Sequence, residues 1–314
     1  MRLRGEQSGR TRAGLAFGLG AYLSWGVFPV FFTLIEMVGP FEVVPWRVST
    51  TLLFCALLVT VMRGWGRVRH VLRSPRVLGW YTLSGVLLYV NWQIFILGVM
   101  TGNIIETALG YFINPLFTIL IGVVVRRERL TRLQWIAVAI AAVGVLIAAV
   151  AYGSFPWIAL GLAITFALYG AVHKQAGEAI DGVTGLTVET LVTSPLAVVQ
   201  LVVVAGSVGV NAFTFGPGIS VLVLCSGVLT AIPLSLFGEA VRRLPLSYIG
   251  FLQFITPILT FLFGYFVMHE AMPVSRWVGF VAVWCALTIL ITEMVLQLRR
   301  SPSAEPNTSA VHLD

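Results

Sequence analysis

One segment of this chain occurs twice, 142 residues apart. FINPLFTILIGVVVRRERLTRLQW runs from Phe112 to Trp135, and FITPILTFLFGYFVMHEAMPVSRW runs from Phe254 to Trp277. Without a gap, nine of 24 positions are identical, among them Pro115/Pro257, Glu128/Glu270 and Trp135/Trp277. Low-complexity apolar sequence matches Leu and Val by chance. It rarely matches Pro, Glu and Trp together. Two related halves are therefore expected, and an internal duplication in an apolar chain points to the architecture of a secondary transporter.

Composition identifies the solvent. The chain is 58% hydrophobic and 11% charged, with a mean hydropathy of +0.94, whereas a soluble domain carries about 25% charged residues. A water-soluble fold of 314 residues could not hide this much apolar surface. About 20 apolar residues span a bilayer. Ten segments qualify: 14–38, 43–62, 77–99, 103–125, 133–151, 157–173, 183–206, 217–240, 247–268 and 274–298. None shows the alternation of a membrane barrel strand. The expected fold class is an all-α integral membrane protein with ten transmembrane helices. The first run is 25 residues long, too long for the core of a signal peptide, and is expected to be retained as helix 1.

Charge sets the orientation. With the N-terminus in the cytoplasm and ten alternating helices, 18 of the 20 Lys and Arg residues fall on the cytoplasmic side, leaving only Arg47 and Arg276 outside. This is the positive-inside pattern, so both termini are expected to be cytoplasmic. The net charge of +7 then forms a basic face for anionic lipid headgroups. Membrane lipids and a small-molecule substrate are the expected partners, and nucleic acid is not.

A unit of five helices is odd, so its second copy enters the membrane from the opposite side. Residues 14–150 and 156–298 are expected to form two inverted five-helix repeats. Residues 1–13 would be a basic cytoplasmic N-terminus and 299–314 a disordered cytoplasmic tail. The links are short: Thr101-Gly102 joins helices 3 and 4, and Tyr152 to Pro156 joins helices 5 and 6. The basic stretch Arg63 to Arg76 reads as a cytoplasmic loop.

Few charges lie inside spans. A central one costs about 2.5–3.5 kcal/mol on insertion scales. Arg47 lies near the outer end of helix 2, Glu106 one turn into helix 4, and Glu189 two turns into helix 7. Arg47 either snorkels to the interface or pairs, and Glu106 shares its depth. Glu189 is the repeat equivalent of Arg47, but inversion places the two at opposite faces. Glu106 and Glu189 are the candidates for coupling transport to protons, Glu106 first.

The midplane is polar in a pattern. Helix 3 carries Asn91, Trp92 and Gln93; helix 4 Tyr111 and Asn114; helix 9 Gln253 and Thr256. Helix 1 adds Tyr22 and Trp25, and helix 6 adds Tyr169. Such groups either join helices by hydrogen bonds or line a cavity. Clustering at one depth on symmetry-related helices favours the cavity, and rings beside amides suit a flat or amphiphilic organic solute. Glu106, Gly110 and Asn114 form one stripe on helix 4. Pro29, Pro115, Pro195, Pro233 and Pro257 sit inside spans and produce either curvature or hinges. Pro115, Pro233 and Pro257 are the hinge candidates. Glu128, among Arg126, Arg127 and Arg129, reads as part of a solvated charge cluster that helps set topology; the alternative is that Glu128 and Glu270 each cap the helix that follows. Cys55, Cys225 and Cys285 are expected to be buried.

Enzymatic readings lack residues. There is no H-E-x-x-H, no G-x-S-x-G and no Walker loop. The aspartates are Asp181 and Asp314, and all four histidines (His70, His173, His269 and His312) fall at loops or the tail. No catalytic group, metal site or cofactor is expected.

Several strings resemble a known family: AYLSWGVFPVFF (21–32), WRVSTTLLF (46–54), ETALGYFINPL (106–116), GSFPWIALGLAITFALYG (153–170), VETL (188–191) and YIGFLQFITPILTFL (248–262). Together with the repeated segment they are similar to the RarD subfamily of EamA-type transporters, in the drug/metabolite transporter superfamily. The resemblance covers residues 14–298. It implies a bacterial inner-membrane permease for small organic molecules, with a central cavity lined by helices 1, 3, 4, 6, 8 and 9. Helices 5 and 10 would serve packing or homodimer contacts. The alternative is a membrane sensor or scaffold that keeps the fold without transporting, with a lipid-modifying enzyme as a third reading.

Overall fold

The computed structural model describes residues 2–126, 131–151, 155–176, 180–243, 252–253, 255–274, 277–282, 284–286, 288–289 and 292. Among these residues every regular element is helical. Five helices are long and apolar enough to cross a membrane: Arg12–Thr33, Pro40–Val61, Pro75–Met100, Gly182–Ser207 and Pro217–Ala240. At 1.5 Å of rise per residue, helices of this length reach about 30 Å or more, the thickness of the hydrocarbon layer.

In chain order the helices are α1 (Arg2–Gly26), α2 (Phe28–Thr33), α3 (Pro40–Val61), α4 (Trp65–Arg73), α5 (Pro75–Met100), α6 (Ile104–Arg126), α7 (Arg132–Ala151), α8 (Trp157–Ala176), α9 (Gly182–Ser207), α10 (Pro217–Arg243) and α11 (Ile255–Leu262). Pro40, Pro75 and Pro217 each open a helix, where the missing N–H has no intrahelical partner to lose. Gly39 precedes α3 at φ +92, a backbone region that an L side chain rarely enters.

The expected first span, which overlaps the candidate crossing Arg12–Thr33, is interrupted by a turn. Pro29 cannot donate to the turn before it, and the chain leaves the helix at Val27 before α2 begins. A single 3-10 turn, Glu36–Val38, then leads into α3. Helix α1 begins at Arg2, within the segment expected as a basic N-terminus. The basic loop after α3 is helical. In α4, Val68 and Val71 are buried while Arg67, Arg69, His70 and Arg73 stay exposed, as in an interfacial amphipathic helix. Arg67 Nε meets Asp181 Oδ2 at 2.9 Å and ties α4 to the start of α9. The end of the ninth expected span is not an α-helix either: Phe263–Val267 is a π turn.

Helices α5 and α6 pack on α8, α3 on α9 and α10, α1 on α10 and α11, α5 on α9, and α6 on α11. Close approach rests on small residues. A Cβ on Gly227 would collide with the backbone of Thr50 and Thr51, and one on Gly110 would lie 2.8 Å from the Ala159 oxygen. The outward faces are apolar. Leu53, Leu57 and Val61 on α3 and Val198, Val199, Val202 and Val203 on α9 are exposed, a surface that lipid accommodates and water does not. Cys55 is buried, but Cys225 and Cys285 are exposed rather than buried. In lipid an outward-facing thiol costs little, so apolar context did not place these two inside.

Candidate functional site

A central cavity opens among α1, α2, α3, α5, α6, α8, α10 and α11. Its wall includes Tyr22, Trp25, Asn91, Trp92, Tyr111, Gln253, Thr256 and Pro257, together with Arg47. Phe28, Phe95 and Phe166 complete the aromatic lining. Periodicity did not single these three out, because a phenylalanine in an apolar helix reads equally well as core or lipid face.

Arg47 is 2% exposed. Its Nε donates to Thr230 Oγ1 at 2.6 Å, and that hydroxyl donates to the Ser226 carbonyl at 2.8 Å. The guanidinium carbon lies 4.3 Å from the Trp92 ring centre and 5.2 and 5.3 Å from those of Phe32 and Phe28. Cation–π attraction of this kind reaches about 2 kcal/mol when desolvated. The buried Nη1 has no hydrogen-bond partner. Among the described residues no carboxylate pairs with Arg47.

The Glu106–Gly110–Asn114 stripe turns away from Arg47 and faces α8. Glu106 Oε1 accepts from the Ile158 and Ala159 amides at 3.1 and 3.4 Å. Gly110 leaves room for the Ala159 carbonyl, and Asn114 Nδ2 donates to the Ala163 carbonyl at 3.3 Å. The structure therefore does not bring Arg47 and Glu106 together. Shared depth is not contact, and the positive end of α8 attracts the carboxylate instead. Asn114 still reaches the cavity wall indirectly, because Gln253 Nε2 donates to its Oδ1 at 2.8 Å.

Glu189, on α9, is 1% exposed and gathers polar groups from α5 and α8. Ser84 Oγ donates to its Oε1 at 2.6 Å, and His173 Nδ1 lies 2.9 Å from the same oxygen. Tyr81 and Tyr169 stack on His173 with ring centres 5.9 and 5.4 Å apart. His173, read from sequence as a loop residue, sits in α8. Tyr169 belongs to this cluster and touches the cavity wall only through Phe166, at 5.7 Å.

Gln93 lies outside the cavity. It joins a polar chain in which Gln200 Nε2 donates to Gln93 Oε1 at 2.7 Å and Tyr89 donates to Gln200 at 2.8 Å. Asn91 Nδ2 is tied to the Leu162 carbonyl and to Thr165, at 3.1 and 2.8 Å. Thr256 donates to the Tyr22 carbonyl at 2.8 Å, joining α11 to α1. Pro233 is buried within α10, Pro257 is buried on the cavity wall, and Pro195 is exposed. The side chain of Pro115 lies outside the described residues. Pro45, inside α3, is a further buried helix proline.

Glu270 Oε2 accepts from the Ile105 amide at 2.9 Å, at the start of α6; residues 275–276, at the start of the helix after it, lie outside the described residues. Its repeat mate Glu128 lies outside the described residues. At the α4–α9 contact, burial pushes the Asp181 carboxyl up, but hydrogen bonds from Thr184 and the nearby Arg67 overcome this and hold it below its ordinary value. No group of three His, Cys, Asp or Glu among the described residues could hold a metal ion.

Residues 12–150 match the EamA-like transporter family. The chain is 42% identical over 291 residues to Protein RarD of Streptomyces exfoliatus, covering 92% of this chain and 91% of that one. It is 36% identical over 292 residues to Protein RarD of Escherichia coli K12, covering 93% and 98%. It is also 36% identical over 301 residues to the uncharacterized transporter YojE of Bacillus subtilis, covering 95% and 99%. A solved crystal structure with 16% identity superposes with a TM-score of 0.62 over 94% of this chain and 99% of that one, a likeness of fold alone. The chain is a multi-pass membrane protein and belongs to the RarD subfamily of the EamA transporters.

Proposed function

We propose that this protein is a secondary transporter that moves small organic molecules across the bacterial inner membrane by alternating access through the central cavity. One observation carries the reading: the cavity wall draws on both halves of the chain, α1, α2, α3, α5 and α6 from the first and α8, α10 and α11 from the second. Relative movement of the halves would open it to one side and then the other.

The inverted ten-helix repeat is supported by matched pairings. Its counterparts are α1 and α8, α3 and α9, α5 and α10, α6 and α11. The pairing of α1 with α10 is mirrored by α8 with α5, α3 with α10 by α9 with α5, and α6 with α8 by α11 with α1. The pairs α3–α9 and α6–α11 join counterparts to each other. A two-fold axis in the membrane plane requires such a set. Ten spans leave both termini on one face, and the charge bias makes that face cytoplasmic, testable by reporter fusions that read cytoplasm at Arg69 and the exterior at Tyr152.

Proton coupling, if the cycle uses it, falls to Glu189 with His173. Histidine titrates between pH 5 and 8, and this pair sits between α5, α8 and α9, which belong to both halves. Glu106 is committed to the start of α8. The test is flux in proteoliposomes holding the purified protein, with imposed gradients of solute and of protons. Folded protein that moves no solute under either gradient would overturn the transport reading and favour a sensor.

A further inference from the structure

We infer that the central cavity takes an organic monoanion, whose carboxylate is received by Arg47 and whose flat apolar body lies against the aromatic wall. The inference rests on the cavity being the transport site and deepens that reading to a substrate class.

Four observations lead to it. First, Arg47 is a buried cation that no carboxylate among the described residues neutralises. A buried charge is retained where something pairs with it, and here the cavity is the space on which the guanidinium opens. Second, its Nη1 is buried without a hydrogen bond. Arginine presents its donors in a rigid fork that matches a carboxylate. With Nε already committed to Thr230, Nη1 is a donor left without a partner. Third, among the described residues the cavity lining holds one cation and no acidic side chain. One guanidinium in an apolar wall balances one negative charge. A dianion would be left half-neutralised, and the ammonium of a zwitterion would find no acid there. Fourth, the rest of the wall is largely aromatic. Trp25, Trp92, Phe95, Tyr111 and Phe166 offer faces and edges to a planar group. The amide donors of Asn91 are spent on α8, which leaves the anion to arginine.

The test uses full-length protein in detergent and two pairs of probes of equal shape: benzoate against benzamide, and phenylacetate against phenylacetamide. Binding is read by titration calorimetry and by quenching of tryptophan fluorescence, since Trp25 and Trp92 line the cavity. Each carboxylate should bind at least about tenfold tighter than its amide, the margin of a charge-assisted over a neutral hydrogen bond. Arg47→Gln should abolish that preference while leaving amide binding unchanged. Arg47→Lys should restore part of it, as a point charge without the fork. Should Arg47→Gln fail to fold, the wild-type comparison of acid with amide decides alone. Equal binding of acid and amide, a preference that survives Arg47→Gln, or carboxylates that do not bind would each overturn the inference. Flux is measured separately. Carboxylate binding without flux removes the transport reading and keeps the Arg47 site. Flux of neutral or cationic solutes without carboxylate binding does the reverse.

Discussion

Arg47 and Glu189 lie 142 residues apart, the offset of the repeated segment, and carry opposite charge. Both are almost wholly buried, and each keeps one polar atom, Nη1 or Oε2, without a hydrogen bond. Their surroundings differ. Glu189 is enclosed by Ser84 and His173 and does not line the cavity. Arg47 has one hydrogen-bond partner, three aromatic rings and the cavity. A chain of ring contacts joins the two sites: Phe28–Phe32, Phe32–Phe95, Phe95–Tyr111, Tyr111–Phe166, Phe166–Tyr169 and Tyr169–His173, each with centres between 5.4 and 6.1 Å apart. Packing sets Arg47 on the cavity wall and encloses Glu189 between Ser84 and His173.

The largest effect should come from removing the cation. Arg47→Met keeps the bulk of the side chain and should weaken carboxylate binding by about 2–5 kcal/mol, the range for losing one side of a buried charge pair. Thermal unfolding should change little, because an apolar replacement of a buried charge is often neutral. Glu189→Gln should show the opposite pattern, with carboxylate binding near wild type. If both variants lose binding equally, the two sites are not distinct in role.

A second prediction concerns Glu106, which depth alone would assign to Arg47. Glu106→Ala leaves two amides of α8 unsatisfied and should cost about 1–3 kcal/mol of stability. Combined with Arg47→Ala, the losses should add to within about 0.5 kcal/mol, as for sites without a shared partner. A larger departure from additivity would restore the pairing that the structure does not contain.

The third sharpens the closed cluster. If transport responds to pH between about 5 and 8, the window of histidine, Glu189→Gln and His173→Gln should each flatten the response. Arg47→Lys should leave its shape unchanged while lowering the rate. A pH profile unaltered in both cluster variants would remove Glu189 as the coupling group.

The smallest effect lies outside the membrane core. Asp181 has its carboxyl held low in the folded protein, so its contribution to stability is present above the ordinary carboxylate pKa of about 3.9. That contribution is lost as pH falls through the lower folded value. At neutral pH, Asp181→Asn should lower stability by about 1 kcal/mol or less, since Asn also caps helices. The deficit should shrink as wild type is acidified, in thermal unfolding measured across pH.

Much of the cavity was legible from residues alone. Tyr22, Trp25, Asn91, Trp92, Tyr111, Gln253 and Thr256 were singled out by depth, and all lie on its wall. Depth is a one-dimensional coordinate, however. It could not separate Gln93 from its neighbour Trp92, because adjacent helical residues point about 100° apart and only the packing of α5 selects a face. It paired Arg47 with Glu106 for the same reason. Thr230, Ser84 and His173 were missed as partners because a hydroxyl or imidazole near a span end has many satisfactory fates.

The sequence by itself determined the solvent, the helical class, the duplication and the family, because each is a property of local composition or of similarity between segments. Lipid demands that the backbone satisfy itself within each helix, so spans can be read one at a time. Tertiary structure alone decided which buried charge meets a partner and which meets a cavity. That choice depends on groups such as Arg47 and Thr230, 183 residues apart, and on a helix rotation that no apolar stripe dictates when lipid and core are equally apolar.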